Sequence, residues 1–159
     1  MGIVFNKDSR KQQHFFHHLD DITSFAIPPN KKLIATGEIG PFPLVCIWDS
    51  ESMNCISRFT SPLVKGVNCL TFSEDGKLLC GTGADDNHSI VVFDWEKGSH
   101  KEQEKGSEVK FKKNRAGEGV NGIFAKGKGT KAVVLNLCFN KANDTIAATS
   151  VKVLIYLFL

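Results

Sequence analysis

Two stretches of this chain repeat one another at a fixed distance. "ITSFAIPPNKKLIATG" (22–37) aligns with "VNCLTFSEDGKLLCGTG" (67–83): each reads as an alternating strand, a tight polar turn, a second strand and a closing Thr-Gly. Downstream, "LVCIWDSES" (44–52) matches "IVVFDWEKG" (90–98). Ile27 lies 45 residues before Phe72, Trp48 lies 45 before Phe93, and Asp49 and Asp94 keep the same spacing. Several anchors at one period constrain the fold more than composition does. Each copy must be a supersecondary unit that buries its apolar faces against the next copy.

A third copy follows in "VVLNLCFNKANDTIAATS" (133–150), and "VKVLIYLFL" then enters the third strand of that unit. Phe72 to Phe139 is 67 residues, about 22 more than the period, so the stretch between them carries an insertion. Upstream, "IVFN" and "QQHFFHH" read as the last two strands of a preceding unit. A period of roughly 40–45 residues is the length of one four-stranded propeller blade. The strands alternate with period two, yet both of their faces are mostly apolar. In Val67–Phe72, for example, Val67, Cys69 and Thr71 oppose Leu70 and Phe72. That pattern suits a sheet sandwiched between other sheets. Pro28-Pro29-Asn30, Glu74-Asp75-Gly76 and Lys141-Ala142-Asn143-Asp144 are the polar hairpin turns between them. No segment supports a long amphipathic helix, so the expectation is an all-β chain.

"HHLDDI" (17–22) before an apolar strand, and "IWD" or "VFDW" closing each unit, resemble the WD-repeat β-propellers. Three stretches (19–52, 65–98 and 119–139) are similar to the first propeller of the echinoderm microtubule-associated-protein-like family. The Ala-Thr-Gly-x-x-Gly-x-x-Pro run at 35–43 and the Asp-Asp-Asn-His to Asp-Trp run at 85–95 carry that similarity most specifically. The resemblance implies a non-catalytic protein that binds microtubules or soluble tubulin, in the cytoplasm and on the cytoskeleton or the ciliary axoneme.

The chain departs from the family pattern. No Pro-rich entry motif or coiled coil is read before Ile3, and a charged stretch replaces the strands expected between Trp95 and Gly119. The sequence also stops where a Trp-Asp is next due. A propeller typically closes with 4–8 blades. The expected fold is therefore a WD-repeat β-propeller fragment, an open arc of about three four-stranded antiparallel blades. Residues 1–98 hold blades (a partial one at 1–18, then blades from 19 and from 65). Residues 99–131 form a basic, Gly-rich insertion or degraded blade, and 132–159 begin a further, truncated blade.

Asp85-Asp86-Asn87-His88 looks at first like an acid–base or metal cluster. Successive strand side chains point to opposite faces, so four consecutive residues at a strand entry do not converge on one atom. Asx side chains in such a turn instead bind nearby backbone N–H groups. His17-His18-x-Asp20-Asp21 poses the same question. In WD repeats a His before the first strand of a blade joins a relay to a Ser or Thr on the second strand and a Trp on the third. The resemblance assigns those places to His18, Thr36 and Trp48. A satisfied network of this kind fixes strand register. With them, Asp21, Asp49, Asp85, Asp86, His88, Asp94 and Trp95 are expected to serve structure.

"GIFAKGKG" (122–129) imitates a phosphate loop, but Gly129 stands where Ser or Thr holds magnesium, and a strand follows where a helix must open. The chain has no Gly-x-Ser-x-Gly elbow and no Cys-His pair at catalytic spacing. No enzyme activity, cofactor, metal or small-molecule substrate is expected. Cys46, Cys55, Cys69, Cys80 and Cys138 each lie within apolar runs, an odd set of free thiols suited to a reducing compartment. "MGIVFNKDSR" shows no secretory or lipidation signal, and the nine residues of "VKVLIYLFL" fall short of the ~20 a spanning helix needs, so no membrane is expected.

The net charge of +3 conceals an asymmetry. Between Ser99 and Lys131 stand nine Lys/Arg against four Glu, so the remainder is net negative. Lys110, Lys112, Lys113, Arg115, Lys126, Lys128 and Lys131 are the expected partner-binding residues, an arm for an acidic protein such as tubulin. The alternatives are a solvated loop on a WD-repeat scaffold for another complex, or a nucleic-acid site. The last is disfavoured because only Phe111 and Phe124 interleave the basic residues.

Overall fold

In the computed structural model, the described residues are 1–98, 122–129, 131–140, 146–150 and 154–157. They form antiparallel sheets and one helical turn. A hairpin of β1 (Gly2–Phe5) and β2 (Gln12–Phe15) comes first. The next sheet is a meander of β3 (Ile22–Ala26), β4 (Leu33–Glu38), β5 (Leu44–Asp49) and β6 (Cys55–Thr60). Another follows with β7 (Val67–Phe72), β8 (Leu78–Gly83), β9 (Ile90–Asp94) and, after the turn α1 (Trp95–Gly98), β10 (Ile123–Gly127). A three-stranded sheet of β11 (Val134–Phe139), β12 (Ile146–Ser150) and β13 (Leu154–Leu157) ends the array. Among the described residues no sheet closes on itself.

Residues 123–127 fall inside the stretch 99–131 that the sequence reading gives to an insertion or degraded blade. Instead they are the outer strand of the second sheet, paired with β9 through a bulge between Ile123 and Ala125. The reason is positional. An outermost strand needs little apolar surface, so a Lys- and Gly-rich segment suffices. Residues 99–121, between α1 and β10, lie outside the described residues.

Strand alternation explains why both faces of the central sheets are apolar. Along β5, Val45 and Ile47 point towards the second sheet, whereas Cys46 and Trp48 point towards the N-terminal hairpin. Along β9, Val91 and Phe93 meet the first sheet while Ile90 and Val92 meet the third. The largest core lies between the two four-stranded sheets. There Ala35, Val45, Ile47 and Phe59 pack on Leu63, Val67, Leu79, Val91 and Phe93. Phe59 and Phe93 have ring centroids 5.3 Å apart. On the other side of the first sheet, Phe15 of β2 stacks on Trp48 at 4.5 Å and 12°. Val134 and Leu137 of β11 cover Cys80, Ile90 and Val92.

The inner strands β3, β7 and β11 are tied by a repeated contact. Thr23 Oγ1 donates to the Val67 carbonyl at 2.7 Å, and the Cys69 thiol donates to the Val134 carbonyl at 3.7 Å. Gly37 permits the first of these approaches, because a Cβ there would stand 2.6 Å from Val67 Cβ.

Candidate protein-interaction surface

The loops β2–β3, β4–β5, β6–β7 and β8–β9 share one end of the array. His18 on the first of these loops is the centre of a buried polar chain. Its Nε2 lies 2.6 Å from Thr36 Oγ1 on β4, and Trp48 Nε1–H on β5 donates to that same hydroxyl at 3.1 Å. Its Nδ1 lies 2.8 Å from Glu38 Oε2. Trp48 is 2% exposed. A coherent proton arrangement has Thr36 donating to a neutral His18, which donates from Nδ1 to the Glu38 carboxylate. Burial holds the His18 imidazole below its ordinary pKa and outweighs the opposing pull of Glu38. Neutral His18 is therefore the resident form near pH 7.

Glu38 is the residue that sequence reasoning missed. Only 3% exposed, it accepts from Leu19 N at 2.9 Å, Asp20 N at 3.4 Å and Leu44 N at 3.1 Å, besides His18. Four donors satisfy a buried carboxylate. They also fasten the β2–β3 and β4–β5 loops to one point. The clue in the sequence is an acid directly after Thr-Gly, where the next copy has Ala84. Leu19 (80% exposed) and Phe42 (58%) sit on these two fastened loops, with Phe16 and Ile39 also exposed. Large apolar side chains held in water by a fixed backbone make these two loops the candidate interaction surface. Asp21, by contrast, is exposed and joins through its backbone, accepting from Ile39 N at 2.9 Å.

The second sheet lacks the relay. Leu63 stands 45 residues after His18 and Phe93 stands 45 after Trp48, so only the threonine, Thr82, remains. Leu63 is 1% exposed and packs over β8. Thr82 Oγ1 is buried without a nitrogen or oxygen partner. Its cross-strand neighbour Cys69 lends it a thiol contact.

Asp85, Asp86, Asn87 and His88 occupy the turn between β8 and β9. Asp85 accepts from Asn87 N at 3.0 Å, Ser89 N at 3.1 Å and Ser89 Oγ at 3.1 Å. His88, at φ 44°, is buried, with Nδ1 3.4 Å from the Gly83 carbonyl. Asp86 turns outward to Lys65 at 2.5 Å, which lowers its pKa. Lys65 belongs to the β6–β7 loop, whose Gly66 also bridges to Ile39 and accepts from Ala84 N. The three loops are thus laced together. Asp49 accepts from Ser52 N and Oγ at 2.7 and 2.8 Å at the opposite end, and these bonds hold its carboxyl low. Asp94 pairs with Lys97 at 2.7 Å, and Trp95 Nε1–H donates to the Gly76 carbonyl at 2.9 Å.

Lys126, Lys128 and Lys131 are exposed along β10 and the loop after it. Lys110, Lys112, Lys113 and Arg115 lie outside the described residues. Among the described residues no group of three or more His, Cys, Asp or Glu is placed to hold a metal ion, and no helix is long and apolar enough to cross a membrane. The thiols of Cys46 and Cys80 are pushed far up, Cys46 by the hydrogen bond its S–H donates to Cys55 together with burial, and Cys80 by burial. Both are inert core residues.

Comparison with known proteins agrees with this architecture. The family described as WD domain, G-beta repeat matches residues 9–40 and 53–94. The chain is 36% identical over 93 residues to WD repeat-containing protein 90 of Mus musculus, covering 58% of this chain and 5% of that one. It is 33% identical over 119 residues to Echinoderm microtubule-associated protein-like 4 of Homo sapiens, covering 68% and 12%. Echinoderm microtubule-associated protein-like 2 of Rattus norvegicus is 30% identical over 110 residues, covering 62% and 17%. The chain thus spans between 5% and 17% of the length of these relatives. With the sheet array, the relay on His18 and the matched repeats together, the chain is a partial β-propeller of WD40 repeats.

Proposed function

We propose that this chain is a non-catalytic WD-repeat module that binds tubulin or microtubules, in the cytoplasm on the cytoskeleton or axoneme. The observation that carries the reading is similarity to two proteins whose names describe them as microtubule-associated-protein-like, over more than half of this chain. The exposed Lys126, Lys128 and Lys131 add support. Lys126 stands on the outer strand of the second sheet, Lys128 and Lys131 follow it towards β11, and all three offer cations to an acidic partner. The apolar, fastened loops bearing Leu19 and Phe42 supply a second contact surface suited to a protein rather than a small molecule.

Co-sedimentation with polymerised microtubules tests the reading, with free RNA as competitor. The chain is expected to pellet with microtubules despite RNA. Reversing Lys110, Lys112, Lys113 and Arg115 to glutamate should reduce pelleting most at low salt, where charge is least screened. Absence of pelleting would leave a WD-repeat scaffold for another complex, and displacement by RNA would point to nucleic acid.

A further inference from the structure

The β4–β5 and β6–β7 loops meet where the first and second sheets join. Ile39 bridges to Gly66, and the Gly40 N–H donates to the Lys65 carbonyl at 3.3 Å. Ile39 and Val64 stay 43% and 52% exposed although a sheet packs on either side of this junction. Phe42 shares a loop with Ile39 and stands between Pro41 and Pro43, which restrict the backbone around it. The 45-residue period places Val64 at the position of Leu19 and Asn87 at that of Phe42. Val64 and Asn87 are exposed between sheets that are packed on both sides, so blade stacking does not cover these loop positions. Charge at the same loops has one sign. Asp20 and Asp21 are exposed, and neither takes part in an ion pair among the described residues. Asp20 reaches the apolar loop: Oδ1 accepts from the Asp21 N–H at 2.8 Å, and Oδ2 would lie 3.7 Å from a Cβ on Gly40. The other charges of these loops are already engaged, Glu38 by its four donors and Lys65 by Asp86. The His17 ring packs against Phe15. Lys128 and Lys131 belong to the β10–β11 loop, whose Gly129 lies against the His88 carbonyl of the second sheet.

We propose that Leu19, Ile39, Phe42 and Val64 form a docking surface for a partner-protein segment that carries an aliphatic or aromatic anchor beside a lysine or arginine. The apolar side chains receive the anchor, and Asp20 with Asp21 receives the cation. Charge complementarity fixes the class of occupant, because an acidic segment would meet both carboxylates with like charge. Loops already fastened through Glu38 and restricted by proline lose little freedom on binding. The inference rests on these loops being the contact surface named above, and not on tubulin being the partner.

Fluorescence anisotropy tests this with a labelled peptide of glycine and serine that carries one central leucine flanked by two lysines. The 159-residue chain is expected to bind it, with affinity falling as salt is added. Replacing the peptide's leucine by glycine, or Leu19→Ser or Phe42→Ser in the protein, should each weaken binding roughly tenfold, the worth of one buried apolar side chain. Asp20→Asn with Asp21→Asn keeps the turn's hydrogen-bond acceptor and should weaken binding while flattening its salt dependence. Lys31→Glu, on the β3–β4 turn at the opposite end, should leave it unchanged. Circular dichroism verifies that each variant is folded. Absence of binding, equal binding after the peptide's lysines become glutamate, or insensitivity to Leu19→Ser, Phe42→Ser and the Asp20 and Asp21 changes would overturn the proposal. Loss of binding on Lys31→Glu would overturn it by placing the peptide elsewhere, and self-association that Phe42→Ser abolishes would do so in favour of a second copy. Co-sedimentation of the same chain with microtubules separates the two readings. Pelleting without peptide binding would overturn this inference alone, and peptide binding without pelleting would overturn the tubulin reading alone.

Discussion

Replacing Thr36 by valine keeps the shape of the side chain and deletes one oxygen. That oxygen receives Trp48 Nε1–H at 3.1 Å and faces His18 Nε2 at 2.6 Å, all within the buried core of the first sheet. The variant leaves an indole N–H and an imidazole nitrogen buried with no partner. Each such orphan costs about 1–3 kcal/mol, so Thr36→Val should destabilise by about 3 kcal/mol. Thr82 holds the equivalent place in the second sheet, is 0% exposed, and has no nitrogen or oxygen partner. Thr82→Val removes an unsatisfied hydroxyl and gives up only its thiol contact with Cys69. The expected effect lies between neutral and about 1 kcal/mol stabilising. Identical substitutions at equivalent positions thus differ by about 3–4 kcal/mol, and they differ in sign or nearly so. Equilibrium unfolding in guanidinium, followed by tryptophan fluorescence and circular dichroism, measures both. Equal costs, or a larger cost at Thr82, would refute the assignment of the relay to the first sheet alone.

Acid should weaken the fold through His18. Its pKa is depressed in the folded state relative to 6.5, so between the two values the unfolded chain binds more protons and stability rises with pH. The contribution is complete above 6.5 and is lost as pH falls from there towards the folded value. Unfolding midpoints between pH 7.5 and about 5 should show this slope, and His18→Gln should flatten it, whereas an unchanged slope would mean the imidazole is not the titrating group. Trp48→Ala removes the partner of both Phe15 and Thr36 and should cost about 3–5 kcal/mol; a loss below about 1 kcal/mol would place Trp48 outside the core.

Much of the architecture was legible in advance because a sheet stacked on both faces leaves a strong mark. In β5 and β9 nearly every position is apolar, and the 45-residue spacing of Trp48 and Phe93 fixes where each unit begins. His18, Thr36 and Trp48 were legible only through the resemblance to WD repeats, since the second copy in this chain carries Leu63 and Phe93 at two of the three places. Glu38 was not, since an acid at a strand end ordinarily reads as solvated, and only the folded loops reveal its four donors. Strand β10 was hidden because it lies within a Lys- and Gly-rich stretch, and among the described side chains Ala125 packs against the core from it.

The contact that joins neighbouring inner strands ends on a main-chain oxygen each time, from Thr23 to Val67 and from Cys69 to Val134. A carbonyl is the same whatever side chain the residue carries. The donor therefore constrains one blade while the acceptor places no chemical demand on its neighbour's identity at that residue. A blade can drift in sequence, or be exchanged for a paralogous one, and still be recognised at its inner edge. The demand that remains is steric: Gly37 leaves room for Val67 Cβ, and any grafted blade that brings a bulkier residue to that point would pry the joint open. Modularity of this kind lets a chain built from repeats lengthen, shorten or shuffle its units without redesigning each junction.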